Sequence, residues 1–154
     1  MPSTPEVKIL KPITFLFHRI ETTIQQLEQA LPVGQQLIRE AVQQGLTVTG
    51  CVHWHYFDFT GNEIKKFTLE VALPIARPLQ PYNGQFIVKT TGDFKCVCLT
   101  HEGRWDEIPM SYSRIMDFMK ANHLASDHEN RELYVNADFI NQQGNITELQ
   151  LGIL

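Results

Sequence analysis

A repeat with an offset of 78 residues constrains the fold of this 154-residue chain more than any other feature of its sequence (124 − 46 = 78). The matched pairs include Leu46 and Leu124, Tyr56 and Tyr134, Glu70 and Glu148, and Ile75 and Ile153. Each copy also ends on similar text, LEVALPI at 69–75 and TELQLGI at 147–153. A chain built from two copies of one unit is expected to fold as two matching halves.

The first copy, residues 12–75, has the pattern of a strand, a helix and two further strands. Residues 13–21 are rich in β-branched and aromatic side chains, which is typical of a strand. Pro32 precedes a helical apolar spacing that runs to Gln44, and Gly45 follows as a helix terminator. Strands are predicted at 47–59 and 66–75, with a hairpin turn at Gly61.

The second copy, residues 94–154, repeats that order after a connector at 76–93 that is rich in proline and glycine. It has a strand at 94–101, a helix opened by Pro109, and strands at 131–137 and 146–154. The apolar stripe expected to face the sheet from that helix comprises Tyr112, Ile115, Met116 and Met119. The sequence thus predicts one α+β domain over residues 12–154, an eight-stranded, mostly antiparallel sheet with both long helices on one face. Residues 1–11 are predicted to be a flexible tail.

Composition narrows the classes of function. The formal net charge of −4 disfavours direct binding to nucleic acid, whose phosphates attract basic surfaces. No apolar run approaches the ~20 residues that span a bilayer, so no membrane association is expected. Three cysteines without a framework spacing favour reduced thiols and a cytoplasmic location. Neither a phosphate-binding glycine loop nor a dinucleotide fingerprint is present, and no cofactor is predicted.

Alternation along the predicted strands assigns side chains to the two faces of the sheet. Leu133 and Val135 are apolar, so we expect them beneath the helices, with Glu132 and Tyr134 on the helix-free face. The same reasoning puts Trp54, Tyr56, Asp58, Glu70 and Glu148 on the helix-free face. Aromatic rings around a carboxylate would attract a flat or quaternary cation, each interaction being worth about 1–2 kcal/mol when desolvated. Glu70 and Glu148 are expected to be solvated.

Other polar groups have plainer interpretations. Cys51, His53 and His55 alternate along one strand in a pattern that can bind zinc. We expect them on the helix side, where satisfaction by backbone groups accounts for the histidines better than a metal. His101 could act as a base, although a lone histidine at a strand end is more often structural.

Three motifs give the chain a resemblance to the gyrase-inhibitor-like (GyrI-like) effector-binding family. HEGRW at 101–105, followed by Tyr112, resembles the family's His-x-Gly-x-Tyr motif and its later tyrosine. ELYVN at 132–136 resembles its Glu-x-Tyr strand, and TELQLGI resembles its final strand. A weaker Gly…Tyr-x-Asp pattern matches Gly50, Tyr56 and Asp58.

The resemblance implies a ligand groove between the copies with a buried glutamate at Glu132. The site residues that we predict are Glu132, Tyr134, Trp54, Tyr56, Trp105 and Tyr112. At the repeat offset Glu132 corresponds to Trp54, so one half supplies charge and the other an aromatic wall. Trp105 stands where the family usually has tyrosine, which keeps a ring but removes a hydroxyl. Gly152 replaces a proline of the final strand.

Three functions remain open at this stage. The leading one is a stand-alone protein that senses or sequesters an amphipathic or cationic aromatic compound. The second is a hydrolase of reactive cyclopropane-type electrophiles in which Glu132 works with a tyrosine, as in some family members. The third is a protein-interaction domain, with gyrase as a partner by family analogy alone.

Overall fold

The structure, a computed structural model, describes residues 3–154 and shows eight strands and two α-helices in that part of the chain. The strands are β1 (Glu6–Leu10), β2 (Thr14–Thr22), β3 (His53–Phe57), β4 (Phe67–Pro74), β5 (Ile87–Thr90), β6 (Phe94–Glu102), β7 (Ser126–Asn136) and β8 (Ile146–Ile153). The helices are α1 (Val33–Gln43) and α2 (Ile108–Ala121), and short 3₁₀ turns cover Ile24–Ala30, Trp105–Glu107 and Gln142–Gly144. Within residues 3–154, neither helix is long and apolar enough to cross a membrane.

All eight strands form one antiparallel sheet in the order β1-β6-β8-β7-β3-β4-β2-β5. The unit β2-α1-β3-β4 fills one half of the sheet, and β6-α2-β7-β8 fills the other. The two halves meet at the β3–β7 pair. The eight-stranded α+β architecture predicted from the repeat is therefore confirmed.

The helix ends follow the predicted signals. Pro32 immediately precedes α1, and Gly45 adopts a positive φ of 68° just beyond it. The backbone N–H of Leu46 then donates to the carbonyl of Ala41 at 2.8 Å. In α2 the predicted stripe is partly wrong, because Ile115 and Met119 are buried but Met116 is exposed. Met116 lies at a helical position that turns away from the sheet.

Two strands lie outside the predicted repeats. Residues 6–10 of the predicted tail form β1, which pairs with β6, and residues 87–90 of the connector form β5, which pairs with β2. The flexible-tail prediction is wrong for Glu6–Leu10, while Met1 and Pro2 lie outside the described residues. Without these short strands, β6 and β2 would be the unpaired sheet edges.

The connector also contacts α1. The hydroxyl of Tyr82 and the backbone N–H of Gln85 donate to the Glu40 carboxylate at 2.8 and 3.1 Å. The Phe86 ring packs edge-on against His18 of β2, with centroids 5.8 Å apart. These contacts attach the connector to the outer part of the first half.

The predicted face of the site is wrong. Trp54 and Tyr56 belong to the same buried cluster as Leu37 and Ala41 of α1. The register explains this, because Trp54 pairs with Val71, whose side chain lies beneath the helix. Glu132 pairs with Trp54 in turn, so it also faces the helices. The prediction failed because it used Leu133 and Val135 to orient β7, and Val135 is exposed on the opposite face.

The helix-free face carries a different set of buried polar groups. Glu70 lies there as predicted, but it is not solvated, since its side chain is 0% exposed and ion-paired with Arg19 and Lys89. Neighbouring strands β2 and β5 supply these cations, which cover the carboxylate. His53 and His55 also lie on this face rather than on the helix side, packed against Phe15.

Candidate functional site

The centre of the candidate site is the cross-strand pair of Trp54 on β3 and Glu132 on β7. These residues are also equivalent under the 78-residue offset. A residue that pairs with its own repeat equivalent lies where the two halves meet. The carboxylate of one half therefore stands beside the indole of the other.

Three tyrosine hydroxyls donate hydrogen bonds to the Glu132 carboxylate. Tyr134, two residues along β7, donates to Oε1 at 2.6 Å, and Tyr56 of β3 donates to the same oxygen at 3.2 Å. Tyr112 of α2 donates to Oε2 at 2.6 Å. Hydrogen bonds to a charged acceptor contribute about 1.5–3 kcal/mol each, so these bonds offset much of the cost of burying a carboxylate.

Burial and charge keep the three hydroxyls protonated. Burial, and next the negative charge of Glu132, raise the pKa of Tyr56, Tyr112 and Tyr134 well above its ordinary value near 10. Each hydroxyl therefore retains its proton at neutral pH and can donate it to the carboxylate. Glu132 itself is only 7% exposed.

A continuous row of six aromatic rings crosses the site. Successive centroids are 5.0–6.4 Å apart, within the range of favourable edge or tilted ring packing. The row runs through Phe59, Tyr56, Trp54, Tyr134, Trp105 and Phe139. Phe139, at one end, is 60% exposed.

The six side chains predicted for the site lie together on the helix side of the sheet. The sequence reasoning missed the two terminal phenylalanines. Phe59 ends the predicted strand 47–59, where alternation assigns it to the face opposite Trp54 and Tyr56, but β3 ends at Phe57 and Phe59 lies beyond it. Phe139 lies in a loop that carries no strand or helix pattern. Its signal is the presence of an aromatic residue in an otherwise polar loop, which is weak by itself.

His101 holds the segment that carries Trp105 and Tyr112. Its Nε2 lies 2.8 Å from the carbonyl of Arg104, and its Nδ1 lies 2.7 Å from the Ser111 hydroxyl. A carbonyl only accepts, so Nε2 carries the proton and Nδ1 accepts from Ser111. The histidine that could have been a base thus connects β6 to the first turn of α2.

The protein's own side chains cover the carboxylate in this conformation. Two surface depressions, of about 640 and 420 Å³, lie elsewhere, beside Phe86 and beside Ser111 respectively. Neither is lined by Glu132. Tyr112 reaches from α2 to Glu132 Oε2 and helps to cover the carboxylate.

The helix-free face does not gather metal ligands in the part of the chain that the structure describes. His53 Nδ1 and His55 Nε2 are 3.1 Å apart and bond to each other. Over residues 3–154, no three histidine, cysteine, aspartate or glutamate side chains are grouped as a metal site requires.

Fold and site together define a two-repeat α+β domain with a carboxylate under aromatic rings at the junction of its halves. Residues 3–153 match the family model of the GyrI-like small molecule binding domain. The chain therefore belongs to the GyrI-like family, as its motifs indicated. No curated protein sequence matches the chain significantly.

Solved structures show the same fold. The C-terminal domain of EcmrR is 19% identical, with a TM-score of 0.81 over 100% of this chain and 99% of that domain. In the EcmrR–DNA complex, the match spans 58% of the EcmrR chain.

Two further structures are more distant. SAV2435 bound to tetraphenylphosphonium is 13% identical, with a TM-score of 0.64 over 97% of this chain and 93% of that one. A hydrolase encoded by lin2189 from Listeria innocua is 14% identical, with a TM-score of 0.66 over 99% and 93%. At these identities the likeness establishes the fold alone.

Proposed function

We propose that this chain senses or sequesters an amphipathic, cationic aromatic compound that binds against Glu132. The observation that carries the proposal is a nearly buried carboxylate at the centre of a row of aromatic rings. The rings present negative faces and the carboxylate adds a full charge, so both attract the same cation. The family's small-molecule-binding role and the tetraphenylphosphonium bound to SAV2435 support this chemistry.

The burial of the site favours a particular kind of cation. A small ammonium loses strong hydration on entering an apolar site, whereas a large, delocalised cation loses little. Broad aromatic groups on the ligand would also pack against the rings of Trp54 and Tyr134. We therefore expect lipophilic cations to bind more tightly than small amines.

A titration of tetraphenylphosphonium and rhodamine 6G against wild type and Glu132→Gln tests the proposal. Removing the charge while keeping the shape should weaken both ligands about 10- to 100-fold, because the lost charge interaction is worth roughly 1–3 kcal/mol. Glu148→Gln is the matched control, since Glu148 lies on the helix-free face of the second repeat, and its affinity should equal that of wild type. Equal binding by wild type and Glu132→Gln would remove the carboxylate from the site.

A hydrolase is the second candidate, favoured by the 2.6 Å hydrogen bond from Tyr112 to Glu132. In that reading Glu132 activates a water molecule against a strained cyclopropane, and a tyrosine donates a proton to the leaving carbon. The fold likeness to the lin2189 hydrolase is compatible with it. Assays of product against a strained electrophile distinguish the two functions, since product beyond one equivalent of protein requires turnover.

The cellular setting is part of the proposal. Three free cysteines, two of them buried, favour a reducing compartment such as the cytoplasm. The formal net charge of −4 favours a protein that does not bind nucleic acid directly. Gyrase remains a partner by family analogy only.

A further inference from the structure

Two buried polar atoms of residues that adjoin Tyr134 have no hydrogen-bond partner among residues 3–154: Trp105 Nε1 and Thr147 Oγ1. A buried donor without a partner destabilises the fold, so native proteins contain few of them. The third such atom, Gln150 Oε1, lies on the helix-free face beside Arg131.

Both Trp105 and Thr147 are neighbours of Tyr134. The indole of Trp105 packs edge-on against the Tyr134 ring, with centroids 6.0 Å apart. Thr147 is the cross-strand partner of Tyr134 and is 0% exposed. The two unpaired groups therefore belong to residues next to Tyr134, whose hydroxyl bonds to Glu132.

Hydrogen bonds hold the backbone around Trp105. The backbone N–H of Trp105 donates to the Gln142 side chain at 3.3 Å, and that of Gly103 donates to the Asn145 carbonyl at 2.8 Å. Asn145 in turn bonds through its side-chain amide to both backbone groups of Asp138, at 2.6 and 3.1 Å. The indole itself packs against the rings of Tyr134 and Phe139, with centroids 6.0 and 5.0 Å away, which restricts its rotation toward another partner.

We propose that Trp105 and Thr147 form a second subsite, which takes an uncharged hydrogen-bond acceptor of the ligand, such as a carbonyl or ether oxygen. An indole N–H can only donate, so an acceptor is the group that satisfies it. The Thr147 hydroxyl is a second unpaired donor beside Tyr134. This inference rests on the proposed function, because the cationic part of that ligand occupies the Glu132 site. It makes the preferred ligand a lipophilic cation that carries a neutral acceptor at one end.

Two matched probes test the subsite. (4-Acetylphenyl)triphenylphosphonium carries a carbonyl, and (4-isopropylphenyl)triphenylphosphonium has nearly the same shape without one. The ratio of their dissociation constants is measured for wild type, Trp105→Phe, Thr147→Val and Glu132→Gln. Wild type should prefer the acetyl compound about fivefold, the usual effect of one neutral hydrogen bond.

The variants give separate readouts. Trp105→Phe should bring the ratio to about 1, and Thr147→Val, which keeps the shape of the side chain, should lower it. Glu132→Gln should weaken both probes while leaving the ratio unchanged. A wild-type ratio near 1, or a preference that survives both Trp105→Phe and Thr147→Val, overturns the subsite alone. Failure of both probes to bind wild type overturns the proposed function and the subsite that rests on it.

Discussion

Two buried histidines on the helix-free face are expected to make the free energy of unfolding depend on pH. His53 and His55 are buried in contact with each other, and burial is the main cause that lowers their pKa values. The pKa of His53 falls to about 3, and that of His55 falls well below its ordinary value, with the charge of Arg131 contributing to both. The hydrogen bond between the two rings also requires one unprotonated nitrogen.

These shifts predict that acid destabilises the protein. When the pKa of a histidine is lower in the folded protein than in the unfolded chain, the unfolded chain binds the proton first as the pH falls. The contribution of that histidine to the free energy of unfolding is therefore complete above about pH 6.5. It is lost as the pH falls toward the folded value, by about 1.4 kcal/mol per pH unit for each histidine. Urea unfolding at pH 7, 6 and 5 measures the slope.

Replacing the histidines separates their effect from general acid destabilisation. His53→Gln should make the dependence of unfolding free energy on pH less steep, even if it lowers stability at pH 7. His123→Asn is the control, since His123 is exposed and its φ of 55° suits asparagine. An unchanged slope in His53→Gln would contradict the assignment.

The element that closes the site, α2, depends on its first turn. Ser111 is buried and donates to His101 Nδ1 at 2.7 Å, and the neighbouring segment carries Trp105 and Tyr112. Removing the hydroxyl leaves a buried imidazole nitrogen without its donor, which costs about 1–3 kcal/mol. Ser111→Ala should therefore lower the unfolding free energy by that amount in chemical denaturation.

Ser113 on the same helix offers a matched control. Its exposed hydroxyl donates to the carbonyl of Pro109 at 3.2 Å, so Ser113→Ala should change stability by less than about 0.5 kcal/mol. If the two variants are equally stable, the contact between His101 and Ser111 does not hold α2.

The sequence predicted which long segments form helices and which form strands, but it did not predict which face of the sheet carries Glu132. Helix signals such as Pro32 and Gly45 are local and were accurate. The face of Glu132 depends on the register of β7 against β3, which is a contact between distant residues. Exposed Val135 shows why an apolar residue near a strand end is a poor guide to the core side.

Strands β1 and β5 were missed for a related reason. β1 contains five residues and β5 contains four. β1 lies in the segment that was predicted to be a tail, and β5 lies in the segment that was predicted to be a connector. Their pairing with β6 and β2 is a property of the assembled sheet. The repeat does mark the junction of the two halves, because Trp54 and its repeat equivalent Glu132 are cross-strand partners there.

The whole molecule is held together by a reciprocal exchange of edge strands. β1 precedes the first repeat in the chain but pairs with β6 of the second, and β5 precedes the second repeat but pairs with β2 of the first. The β3–β7 pair joins the halves at the centre of the sheet. Each half therefore depends on the other for its outer strand as well as for its inner neighbour.

This exchange predicts that a chain divided in the connector can reassemble. Leu79 is 99% exposed, so division after it leaves the core intact and yields fragments 1–79 and 80–154. Each fragment alone presents unpaired strands, β3 and β2 in the first and β7 and β6 in the second, and we expect poorly dispersed NMR spectra. Mixing should restore a spectrum like that of the intact chain, because every pairing of the sheet can re-form.

Fragment 11–79, which lacks β1, should leave β6 unpaired and bind its partner more weakly. A fragment 80–154 that folds cooperatively by itself would show that the halves are independent, because its β7 and β6 would then need no strand from the first half.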